Sequence, residues 1–169
     1  MDLQYIIQEL DRNRMIFNSL FENVERQSYL WKPAPEKWCL IEILCHLYDE
    51  EREDFRARVK HTLENCQQPM SPIDPAGWVT GRKYIEQNYS DVLKKFLSER
   101  QLSVDWLAQL KNPEWSNSYI HPQLGAMTAE IFLSNWLAHD YLHIRQITRT
   151  KYLYLENISK QDLSYAGKW

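Results

Sequence analysis

Prolines and glycines constrain this chain more than any other feature. The 169 residues hold seven prolines and four glycines, at positions 33, 35, 69, 72, 75, 77, 81, 113, 122, 125 and 167. Proline removes an amide hydrogen that a helix interior needs, and glycine costs backbone entropy there. Four stretches between these breakers run uninterrupted: 1–32, 36–68, 82–112 and 126–166. At a rise of about 1.5 Å per residue, each can cross a small domain as a helix.

The apolar spacing agrees with that division. Leu3, Ile6, Ile7, Leu10, Phe17 and Leu20 recur at three- and four-residue intervals in the first stretch, the period of a helix face. Arg14 falls on the same stripe, where it either pairs at the edge or reaches a pocket. Leu40, Ile43, Leu44, Leu47, Phe55 and Val59 mark a face of the second stretch, and Ile85, Tyr89, Val92, Phe96, Trp106 and Leu110 one of the third. Ala129, Phe132, Leu133, Trp136, His139 and His143 share a face of the fourth. No segment alternates with period two, so strands are not required. Four amphipathic helices with three connections predict an all-α fold, a four-helix bundle forming a single domain over 1–169. The proline-rich connection 69–81 reads as a long crossover or a lid.

Composition removes several function classes. Scarce, scattered glycines exclude a P-loop or a dinucleotide fingerprint, which bring backbone amides against phosphate through clustered glycines. A net charge of −3 gives no basic footprint for nucleic acid. The apolar runs are too short to span a bilayer, and MDLQYIIQELDRNR lacks the basic and apolar regions of a signal peptide. Cys39, Cys45 and Cys66 form no CxxC pair, which fits free thiols in a reducing, cytoplasmic setting. There is no GxSxG elbow for a serine nucleophile.

Histidines carry the strongest chemical signal. His139 and His143 stand four apart, one above the other on a helix face, a spacing that lets two imidazoles bind one metal ion. His46 sits between Leu44 and Leu47 on the apolar side of the second stretch, where it can complete a site in the bundle core. Three imidazoles leave a divalent ion with open positions, the mark of a catalytic site. Cys45 lies about 100° round the helix from His46 and should not share the ion. Glu50 is one turn beyond His46. It either orients a ligand, binds the ion or holds its water, or it belongs with Asp49, Glu51, Glu53 and Asp54 to a solvated acidic face. Asp140 is a weaker candidate of the same kind. His61 and His121 fall off the inward pattern, and His121, before Pro122, reads as exposed.

These residues resemble a known family. Trp38 opening the second helix, the apolar run Leu40–Leu44, then His46 and Glu50, are similar to the DinB/YfiT-like group of metalloenzymes. The late block from His139 through His143 to Gln146 and Ile147 is similar to that family's last-helix H-x-x-x-H-x-x-Q-I pattern. The resemblance extends over most of the chain. It implies a four-helix bundle of up-up-down-down type with a long crossover, a metal site on His46, His139 and His143, and a homodimer. It also implies relatives that are thiol-dependent transferases and isomerases. Two positions depart from the pattern. Cys39 stands where a capping Ser or Thr is usual, and Arg145 where a small residue is usual.

The function expected is a metal-dependent enzyme of the thiol-dependent S-transferase type, using zinc or nickel, a low-molecular-weight thiol and a small-molecule substrate. A hydrolase on the same site is the alternative, as is a non-catalytic bundle that binds a metal or small ligand in a stress response. No nucleic acid or membrane partner is expected.

Overall fold

The computed structural model describes residues 2–167. Helix α1 spans Leu3–Phe21, and the Asp2 carboxylate caps it by accepting from the Tyr5 amide at 3.0 Å. The first helix therefore ends well before residue 32. Residues 22–39 form a loop carrying one short turn, α2 (Arg26–Tyr29). Helix α3 (Leu40–Asp49) begins just after Trp38. Cys39 stands in for the usual Ser or Thr in a reciprocal capping box with Glu42; its amide and its thiol both lie on Glu42 Oε2, at 2.9 and 3.2 Å. Lys32 Nζ holds the other oxygen of that carboxylate at 2.7 Å.

Helix α3 runs without a break into a π-helical segment, Glu50–Phe55, and then into α4 (Arg56–Asn65). A π turn adds a residue to the helical repeat and re-aims the side chains around it, which is why such turns collect at functional sites. The 69–81 connection is not bare loop: Pro75–Gly81 forms α5, with Pro75 in its first turn and Asp74 as cap. Helix α6 spans Tyr89–Gln109 and α7 spans Ala129–Ser159, capped by Asn88 and Thr128.

Between α6 and α7 lies an element the spacing does not predict, an antiparallel hairpin of β1 (Ser118–His121) and β2 (Gly125–Thr128). Each strand has four residues, too few for alternation to show. Gly125 sits at φ 74°, the left-handed residue that closes a three-residue hairpin loop.

Four long segments make the bundle. Helix α1 packs on α6 and α7, α3 packs on α6, and α4 packs on α7. The second helix thus lies diagonally across from α1. No helix among the described residues is long and apolar enough to cross a membrane.

The core is split in two. One apolar cluster gathers Phe17, Phe21, Ile43, Leu44, Phe96 and Ile147. The other gathers Ile7, Leu10, Val59, Val104, Leu133 and Trp136. Each bundle helix passes from one cluster to the other through a buried polar residue: Asn13 on α1, Glu51 on the second helix, Arg100 on α6 and Asp140 on α7. Arg100 is 1% exposed. It grips Asp140 with two nitrogens at 2.6 and 2.8 Å and reaches Glu51 Oε1 at 2.9 Å. Asn13 Nδ2 donates to Asp140 at 3.1 Å, and the Trp136 indole donates to Glu51 Oε2 at 3.0 Å. Buried charges survive when paired and hydrogen-bonded, and this layer satisfies that condition.

Candidate metal centre

His46 on α3 and His139 and His143 on α7 bring their rings together beside the polar layer. His139 Nε2 is 3.3 Å from His46 Nε2 and 3.0 Å from His143 Nε2. All three residues offer a ligand atom within 4.8 Å of one another. His46 and His143 are buried and His139 is partly exposed. Trp38 packs on the His46 ring at a centroid distance of 4.9 Å, and Phe55 packs on His139 at 4.8 Å.

Burial is the main reason these imidazoles stay neutral. It lowers His46 to about 3, with the nearby His143 adding to the effect. His139 falls to about 2, and His143 to about 4. Neutral rings keep a lone pair each. His139 Nε2 can donate one hydrogen or accept, but not both, so hydrogen bonds among the three nitrogens leave the cluster poorly satisfied. One cation accepts from all three. Nitrogens bound to a zinc ion at about 2.0–2.1 Å in tetrahedral geometry stand about 3.3 Å apart, close to the two contacts observed. The donor set therefore fits a divalent ion.

Glu50 is buried rather than part of a solvated face. Its neighbours in the acidic run each have a basic partner: Asp49 meets Arg52 and Arg82, Glu51 meets Arg100, Glu53 meets Arg82, and Asp54 meets Arg58. Glu50 faces His46 instead, with Oε1 at 3.9 Å from Nδ1. Neither atom has a hydrogen-bond partner among the described residues. Burial, then contact with Asp54, pushes the Glu50 carboxyl up to about 9. Two facing, unpartnered polar atoms behind a ligand histidine are what an orienting carboxylate requires.

Two clefts reach the trio. One, of about 900 Å³, opens between the Pro33–Trp38 loop and α7 and has His143 in its wall. The other, of about 340 Å³, opens between Phe55, the hairpin and α7, with His139 in its wall. Leu142 lines both.

A profile of the DinB superfamily matches residues 9–147. The chain belongs to the DinB superfamily. Its fold is similar to a solved structure described as YfiT from Bacillus subtilis, "a probable metal-dependent hydrolase with an unusual four-helix bundle topology". The two share 19% identity at a TM-score of 0.77, over 88% of this chain and 85% of the other. No curated protein matches the sequence significantly.

Within this DinB-superfamily bundle, His46, His139, His143 and Glu50 come together. Asp140 does not join them; its carboxylate belongs to Arg100 and Asn13. Arg14 pairs with Asp11 at the edge of α1, at 2.9 Å, rather than reaching a pocket. His61 bonds the Gln68 carbonyl, away from the trio. His121 is half-buried, not exposed. It lines the smaller cleft, and its Nδ1 accepts the Gln123 and Leu124 amides. Phe55, Arg100 and Asn13 were not singled out for chemistry by the spacing. For Asn13 the signal was its place between Leu10 and Phe17, three and four residues away.

Proposed function

We propose that this DinB-superfamily protein is a metal-dependent enzyme whose divalent ion, zinc or nickel, is held by His46, His139 and His143. The observation that carries the reading is the convergence of three neutral imidazoles, with no fourth protein ligand in the group among the described residues. A bound ion there supplies Lewis acidity, lowering the pKa of a coordinated thiol or water.

The residues around it do the rest. Trp38 and Phe55, packed at a tilt on the His46 and His139 rings, hold them in place. Glu50 Oε1, 3.9 Å from His46 Nδ1, is the acceptor nearest that nitrogen; closing to hydrogen-bond distance when an ion binds would fix the tautomer that leaves Nε2 for the ion. Apolar neighbours exclude water and strengthen every charge interaction inside. Two clefts on either side of the trio suit a reaction with two reactants, and on that ground transfer of a small thiol to an electrophile is the leading reaction. A homodimer follows the same family expectation.

Hydrolysis is the second reading. The likeness of the fold to YfiT, described as a probable metal-dependent hydrolase, favours it.

The test is a paired assay on zinc- and nickel-loaded protein. One arm uses glutathione or cysteine with 1-chloro-2,4-dinitrobenzene, the other p-nitrophenyl acetate without thiol. Metal-dependent thiol transfer lost in His139→Ala supports the first reading. Metal-dependent ester cleavage alone supports the second. Metal binding without turnover in either arm would leave a binding module.

A further inference from the structure

The two clefts that reach the imidazoles differ in charge. The larger carries Lys37, Arg145 and Arg149 on its lining and no Asp or Glu. This is a local reversal in a chain with 23 acidic and 20 basic residues. Lys37 and Arg145 form no ion pair among the described residues. In the smaller cleft the cation Arg58 is already matched by Asp54. The larger cleft also has an apolar wall, in which Pro33, Trp38, Leu142 and Leu153 take part. Its volume of about 900 Å³ falls within the range of small-molecule sites, roughly 300–1,000 Å³. Trp38 connects it to the centre, since the same ring that lines the cleft packs on His46.

We propose that this cleft binds a small organic anion, its apolar body against Trp38 and Leu153 and its charged end on Lys37 and Arg145. The proposal rests on the reading of the trio as the reactive centre, because it makes the cleft the route of one reactant to His143. Apolar wall and cationic rim divide the work as in other ligand sites, one giving burial and the other orientation. The unpaired state of Lys37 and Arg145 means that an incoming anion breaks no existing ion pair of theirs.

The probe is 8-anilinonaphthalene-1-sulfonate, compared with N-phenyl-1-naphthylamine, which has the same body without the sulfonate. Both are titrated by fluorescence into folded, metal-free protein. The sulfonate should bind more tightly than the amine, and its affinity should fall as salt is raised. Lys37→Ala/Arg145→Ala should weaken the sulfonate about fivefold or more and leave the amine unchanged. Ala34→Trp, which fills the cleft, should abolish both. Lys60→Ala/Lys111→Ala, which removes two exposed cations elsewhere, should change neither. Absence of sulfonate binding to the wild type, or binding indifferent to Lys37→Ala/Arg145→Ala or to Ala34→Trp, overturns the proposal. A separate zinc titration of Lys37→Ala/Arg145→Ala keeps the two ideas apart. Unchanged zinc binding with weakened sulfonate binding supports the anion cleft. Absence of zinc binding in the wild type sinks the metal centre and not the cleft.

Discussion

Replacing Arg100 by Met tests the polar layer that divides the core. The side chain is 1% exposed and donates to Asp140 at 2.6 and 2.8 Å and to Glu51 at 2.9 Å. Methionine keeps much of the volume and removes every one of those donors. The buried carboxylates of Glu51 and Asp140 are then left with no cation. Breaking a buried ion pair by removing one partner costs about 3–5 kcal/mol. For a chain of this length that corresponds to a fall in Tm of roughly 10–15 °C. The assay is urea unfolding followed by circular dichroism. Glu51→Gln/Arg100→Met/Asp140→Asn should recover part of the loss, since it removes the charges and keeps acceptors for Trp136 and Asn13. A loss below about 1 kcal/mol, the size of a surface pair, or a triple variant no better than the single one, would refute the reasoning.

Two further outcomes follow from the site and the thiols. In metal-free protein, His46, His139 and His143 are held at about 3, about 2 and about 4, below the ordinary value near 6.5. Between about pH 6.5 and 4 the unfolded chain binds protons that the folded one does not. Stability should therefore fall with falling pH, by about 1.4 kcal/mol per pH unit for each histidine, and a flat profile measured by thermal melts would count against neutral buried rings. Burial pushes Cys39 up to about 11 and Cys45 up to about 12, while Cys66 is half-buried. Ellman's reagent should react with one thiol in native protein, through Cys66, and with three after denaturation; a fast second thiol in the native state would contradict the packing of α3.

The helices and the trio were readable because both rest on local spacing. Breakers and a 3.6-residue period mark the bundle, and an i, i+4 pair plus one inward histidine marks the site. What escaped depends on partners far apart in the chain. Asn13 and Arg14 are adjacent, and either fits the stripe between Leu10 and Phe17. Only Asp140, 127 residues from Asn13, decides that Asn13 turns inward while Arg14 stays with Asp11. Asp49, Glu50 and Glu51 look like the start of a solvated acidic face. They are buried because Tyr84, Arg82 and Arg100 arrive from other elements, and because the π turn at Glu50–Phe55 re-aims them. Arg100 lies on the stripe four residues after Phe96, but only Asp140 and Glu51, distant in the chain, make it an inward charge rather than an edge residue like Arg14. The hairpin is too short to show alternation, and α5 is too short to stand out within a proline-rich connection.

The central claim is that His46, His139 and His143 hold one divalent ion, and isothermal titration of zinc into chelator-treated protein tests it most directly. The account predicts one ion per chain for the wild type and none for His46→Ala/His143→Ala, with both proteins folded by circular dichroism. Full retention of the ion by the double variant, or a folded wild type that takes up no zinc or nickel, would contradict it.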